Sequence, residues 1–102
     1  MKRIESELEK KCSQYARERG WASVKLEKNW NKGVPDRLFV KNDKVFFVEF
    51  KKDSKQILTK EQIFWREFTK PIHFVISNFE DFKGIVFFSR LMIFHFHCHS
   101  AQ

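Results

Sequence analysis

The sequence predicts a mixed α/β domain in which helices cover a central sheet. Three observations predict it. Ile4, Leu8, Cys12, Tyr15 and Ala16 recur at helical spacing near the N-terminus. Three short segments with strand character follow between residues 22 and 50. A second helical segment and a fourth strand-like run then complete an α-β-β-β-α-β order, with one more element after it. The 102 residues suit one domain, and thirteen Phe with three Trp supply its core.

The first helix is expected from about Arg3 to Arg19, because Gly20 is a suitable stop. Ala22 to Lys28 alternates through Val24-Lys25-Leu26 and reads as a strand. Asn29 to Pro35 is a loop rich in Asn and Lys, with Gly33 and Pro35. Arg37–Lys41 and Lys44–Phe50 form a hairpin across Asn42-Asp43, a turn without the usual Gly, so its type stays open. Lys51 to Leu58 is a polar connection. Thr59 is an N-cap with Gln62 as its capping-box partner, and the helix runs to about Phe68. Ile72–Ser77 is a fourth strand. Asn78 caps a last helix whose first turn carries Glu80 and Asp81, which suit the helix dipole. The body, Phe82–Phe88, is rich in β-favouring residues, so a strand remains the alternative there. We place one domain over residues 1–90 and a tail or added element over 91–102.

Charge narrows the function classes. Twenty Lys+Arg against thirteen Asp+Glu give +7, which favours polyanionic partners through phosphate contacts and counterion release. Two Cys, at 12 and 98, are too few for a disulfide framework. Cys12 lies on the apolar row of the first helix and reads as a reduced core thiol. Met1–Lys11 is charged rather than apolar, so no signal peptide is expected, and no membrane span is expected either. An intracellular location follows by elimination.

The chemistry concentrates in two segments, Gly33-Val34-Pro35-Asp36 and Val48-Glu49-Phe50-Lys51. Asp36 precedes the apolar run Leu38-Phe39-Val40, and Glu49-x-Lys51 ends the run from Val45 to Phe50. Side chains alternate along a strand, so Glu49 and Lys51 emerge on one face, ~6.6 Å apart at ~3.3 Å per residue. If the two runs pair as a hairpin, Asp36 comes beside them. Two carboxylates and an ammonium at one sheet end suit a divalent cation and an activated water next to a phosphate. Alone, Glu-x-Lys is usually a solvated strand face and Pro-Asp usually a turn. Together, in order within nineteen residues, they mean more.

The order helix, Gly-x-Pro-Asp, Glu-x-Lys, helix, strand resembles the PD-(D/E)XK nuclease superfamily, whose core is restriction-endonuclease-like. Gly33-Val34-Pro35-Asp36-Arg37 followed by Phe47-Val48-Glu49-Phe50-Lys51 resembles the VRR-NUC (virus-type replication-repair nuclease) domains, and the length resembles their stand-alone phage-type members. The likeness runs from about Glu5 to Phe82. It implies that Asp36, Glu49 and the backbone carbonyl of Phe50 ligate Mg²⁺ or Mn²⁺, and that Lys51 orients or deprotonates the attacking water. It also implies a carboxylate on the first helix. Glu9 fits best, Glu5 lies one turn earlier on the same face, and Glu7 points away. Gln62 matches a Gln that the family carries on the following helix, where it would bond the phosphate or water; otherwise it is only the cap partner of Thr59.

Lys25, Lys28, Lys32 and Arg37 flank the site and would meet DNA phosphates, or else be solvated charges. Gly33 lets the loop turn tightly where DNA would approach. Trp30 stacks on a base or, more often for such a residue, covers the core edge. His95, His97, Cys98 and His99 lack a partner pair and read as tail or added strand rather than a zinc site.

The function expected from the resemblance is metal-dependent hydrolysis of DNA phosphodiesters, with structured or branched DNA, such as a Holliday junction, as substrate. The location is the host cytoplasm if the chain is phage-encoded. One alternative is a nucleic-acid-binding module that keeps the fold without turnover; another is a small assembly subunit whose charge is incidental. A homodimer through the C-terminal third is expected from the apolar stretch Phe79–Phe96.

Overall fold

The computed structural model describes residues 5–27, 32–53, 55–70 and 72–100, with side chains described up to residue 89. Its order is α1 (Glu7–Glu18), β1 (Ala22–Lys25), β2 (Arg37–Lys41), β3 (Lys44–Phe50), α2 (Lys60–Thr69), β4 (His73–Ile76) and α3 (Phe79–Ser100). The strands form one sheet in the order β1-β2-β3-β4. β1, β2 and β3 pair antiparallel, and β4 joins β3 in parallel after the α2 crossover. This is the mixed α/β sheet with flanking helices that the sequence predicts.

Local chemistry sets the ends. Ser6 caps α1 by accepting from the Glu9 N–H at 3.1 Å. The expected start near Arg3 ignored that serine, and positions 3 and 4 lie outside the described residues. The turn between β2 and β3 needs no glycine because Asn42 takes the left-handed conformation, φ 57°. Thr59 and Gln62 form the expected capping box on α2. Asn78 Oδ1 accepts from the Asp81 N–H at 2.8 Å, and the chain beyond it is helix rather than strand.

The core lies between one face of the sheet and helices α1 and α3. Cys12 and Ala16 of α1 and Phe82 and Val86 of α3 bury against Phe39, Phe46, Val48 and Ile76. Phe39 stacks on Phe46 at 5.2 Å and meets Phe82 at 5.1 Å, while Trp21 packs edge-on to Phe46 at 5.0 Å. Burial pushes the Cys12 thiol up to about 12, so it sits in this core as a neutral apolar group. The opposite face is less covered: Val24 and Val45 are exposed on it. α2 meets that face at His73, whose Nδ1 lies 2.8 Å from the Thr69 hydroxyl. None of the ten residues of α2 is buried.

Candidate active site at the end of the sheet

Arg37 pairs with Val48 in the β2–β3 register. Asp36 lies one residue before Arg37 and Glu49 one residue after Val48, so the two carboxylates leave neighbouring strands at the same end. Both are buried. The Asp36 N–H donates to the Val48 carbonyl at 3.0 Å, and its Oδ2 accepts from the Phe50 N–H at 2.7 Å. The Asp36 side chain thus takes a backbone donor at the end of β3, which fixes the carboxylate against the Glu49–Phe50 peptide. Alternation turns Glu49 away from Val48 and the core.

Lys51 follows on the same side as Glu49. Its N–H donates to the Ile76 carbonyl at 2.8 Å, and its Nζ donates to Gln62 Oε1 at 2.9 Å. The same Gln62 oxygen accepts from the Thr59 N–H at 2.9 Å. Gln62 is therefore cap partner and lysine partner at once, because the capping box aims its carbonyl across the end of the sheet. The cap expected from the sequence is present, and it leaves the Gln62 carbonyl beside Lys51.

Gly33 explains how α2 comes so close. Its φ is +80°, and a methyl group at its Cα would lie 2.6 Å from the Gln62 amide nitrogen and against the Glu61 backbone. The space that DNA was expected to need at Gly33 is filled by the first turn of α2. Trp65 Nε1 donates to the Lys32 carbonyl at 3.0 Å and moors the helix to the same loop.

Arg37 departs from the expectation of a phosphate contact. It is buried, 4% exposed, and faces α1. Its Nε donates to Glu9 Oε2 at 2.8 Å, its Nη1 to Ser23 Oγ at 2.9 Å, and its Nη2 to Glu5. Ser23 Oγ in turn donates to Ser13 Oγ at 3.0 Å. The reason is parity: Arg37 lies two residues before Phe39 and shares its inward face. Glu5 and Glu9 do share one helix face, as predicted, and Glu7 is exposed, but that face holds a guanidinium. Sequence reasoning missed this network. The signal for it was an arginine in step with a core phenylalanine, opposite two glutamates one turn apart.

Among the described residues, no group of three or more His, Cys, Asp or Glu side chains gathers at metal-binding spacing. Glu9 is therefore not grouped with Asp36 and Glu49. The donors that remain at the sheet end are the Asp36 and Glu49 carboxylates and the Phe50 carbonyl, all hard oxygens, which fit Mg²⁺ or Mn²⁺. Among the proposed phosphate contacts, Lys25 is half-buried and lies opposite Arg37, while Lys32 is exposed. Lys28 and Trp30 lie outside the described residues, as do the side chains of the His-rich segment 95–99.

No helix among the described residues is long and apolar enough to cross a membrane. The sequence matches no protein-family model and no curated protein. A solved structure described as a VRR_NUC domain superposes with a TM-score of 0.71 at 23% identity, covering 80% of this chain and 92% of that one. With its four-stranded mixed sheet, flanking helices and Asp36–Glu49–Lys51 sheet end, the chain has the VRR-NUC domain fold.

Proposed function

We propose that this chain is an endonuclease that hydrolyses DNA phosphodiesters with Mg²⁺ or Mn²⁺. The observation that carries the proposal is the sheet end, where Asp36, Glu49, Lys51 and Gln62 converge on a nuclease-type fold. Asp36, Glu49 and the Phe50 carbonyl would hold the cation. When bound, it supplies positive charge against the phosphate and makes water a better nucleophile at neutral pH.

The protein's own residues do the rest. The Phe50 N–H fixes Asp36, so its carboxylate needs little reorganisation to accept a ligand. Gln62 holds Lys51 Nζ by one of its three N–H donors, leaving the others to a phosphate oxygen or to the attacking water. The basic balance of +7 supplies non-specific attraction to the DNA backbone, with Lys25, Lys28 and Lys32 as the proposed phosphate contacts. Branched DNA is the proposed substrate and a homodimer the proposed assembly. Exposed Phe87 and Phe88 on α3 support an interface there, and an intracellular location accords with a DNA substrate.

A second reading, a DNA-binding module without turnover, is favoured by one observation: Glu9 is held by Arg37 rather than offered to a cation. Incubation of supercoiled plasmid and of a four-way junction with Mg²⁺, with Mn²⁺ and with EDTA separates the two. Cleavage in either metal and none in EDTA is expected. Tight, salt-sensitive binding without nicking in any condition would establish the second reading.

A further inference from the structure

The face of α2 beyond Gln62 is not accounted for by the fold. Helices of globular domains pack an apolar stripe inward. This one buries nothing: Ile63, Phe64 and Phe68 are exposed, Phe64 by 57% and Phe68 by 71%. The rings are nonetheless ordered among themselves. Phe64 meets Phe68 edge-on at 4.9 Å and stands perpendicular to Trp65 at 6.2 Å. The Trp65 indole is fixed by its bond to the Lys32 carbonyl. Between helix and loop lies an open groove of about 370 Å³, lined by Lys32, Lys60, Glu61, Phe64 and Trp65.

We propose that this groove seats an unpaired nucleotide of the strand bound at the sheet end, its base stacked on the face of Phe64 with its edge towards the perpendicular Trp65, and its phosphate between Lys32 and Lys60. The proposal rests on the nuclease reading only for the presence of nucleic acid at the neighbouring site. Three features favour a nucleotide over another occupant. The exposed ring of Phe64 matches the π-face of a base, which stacks whatever its identity. Two lysines at the groove match a phosphate on a chain of net charge +7. The groove also starts at Glu61, next to the Gln62 that holds Lys51, so it adjoins the sheet end. Glu61, the one acid among the described residues of the lining, would repel a phosphate but accept a hydrogen bond from an exocyclic amine on the base edge. The inference therefore gives α2 a role in selecting substrates with a single-stranded arm beside the duplex.

Binding in EDTA tests this without cleavage. The probes are a fluorescein-labelled duplex with a short single-stranded overhang, the same duplex blunt-ended, and an overhang whose first unpaired nucleotide lacks its base. Anisotropy titrations compare the wild-type chain with Phe64→Ala, an exposed position whose replacement leaves the core alone; circular dichroism verifies the fold. Phe64→Ala should weaken binding of the overhang by about five- to hundredfold and of the blunt duplex by less than about twofold. Removing the base should cause a similar loss in the wild type and little further loss in the variant, the signature of two coupled groups. Equal weakening on all three probes, or none, would overturn the proposal. So would a wild-type mass that doubles with concentration when the Phe64→Ala mass does not, because the face would then belong to a second copy. Cleavage assays stay separate: overhang preference without cleavage would sink the nuclease reading alone, and cleavage with a silent Phe64→Ala would sink the groove alone.

Discussion

Asp36 and Arg37 are consecutive residues on opposite faces of one strand end, and their surroundings differ completely. Asp36 turns towards Glu49, Lys51 and α2 at the end of the sheet, where its carboxylate accepts from the backbone N–H of Phe50 at 2.7 Å. Arg37 turns into the α1 layer, where Glu9, Glu5 and Ser23 share its guanidinium. A half-turn of strand separates the face that carries Glu49, Lys51 and Gln62 from one that neutralises a buried guanidinium. Charged residues at a nuclease-like site therefore do not share a role merely because they are neighbours. The face decides, and the pleat sets the face.

The largest effect expected is on the open face. Asp36→Ala, Glu49→Ala and Lys51→Ala should each lower plasmid nicking by about 10²-fold to 10³-fold or more, since each removes a group that, in the proposed function, acts on the reacting phosphate or its cation. Calorimetry with Mn²⁺ sharpens the assignment: the carboxylate variants should lose metal binding and Lys51→Ala should keep it. Wild-type turnover in Glu49→Ala would break the site. On the closed face the expected effect is on stability. Arg37→Ala leaves Glu9, 1% exposed, buried without its guanidinium and should cost about 3–5 kcal/mol in chemical denaturation. A loss under about 1 kcal/mol would mean that the network carries little of the fold.

Smaller effects lie at the joints between the faces. Gly33→Ala forces a methyl group against the Glu61–Gln62 backbone at a positive φ and should cost about 1–3 kcal/mol. It should also lower any Lys51-dependent activity, because α2 must retreat and take Gln62 with it; unchanged nicking and stability would show that α2 is not held by this loop. The smallest effect is at Cys12. Its thiol is raised from 9.0 to about 12 by burial, so the folded chain keeps a proton that the unfolded chain releases. The stability this contributes is complete below about pH 9 and fades as pH climbs towards 12. A Cys12→Ala variant should show a shallower alkaline decline in melting temperature than the wild type, and identical slopes would place the thiol in contact with water.

Much of this was legible in the sequence, for local reasons. The capping box needs only Thr59 and Gln62 in step. The placement of Asp36 beside Glu49 needs only a short hairpin between two apolar runs. The Asn78 cap likewise needs no distant partner. What escaped depended on contacts across layers. Arg37 read as a surface base because charge alone does not show which face is buried; the partner glutamates lie 28 and 32 positions away. Gly33 read as a concession to DNA because the approach of α2 is invisible before the chain folds. Residues 82–88 admitted a strand because Val86 and four phenylalanines between positions 79 and 88 favour one locally. Packing of Phe82 and Val86 into the α1 layer settled them as helix.

One pair of substitutions tests the separation of the two faces most directly. Asp36→Asn keeps an oxygen for the Phe50 N–H but removes the charge that a cation needs, while Arg37→Met keeps the bulk but removes the guanidinium. Melting temperature and Mn²⁺-dependent plasmid nicking are to be measured on both, with the wild type alongside. The account predicts that Asp36→Asn melts with the wild type and loses nicking. It predicts that Arg37→Met melts well below the wild type and still nicks at temperatures where it is folded. An Asp36→Asn chain that nicks at the wild-type rate, or that melts as low as Arg37→Met, would contradict it.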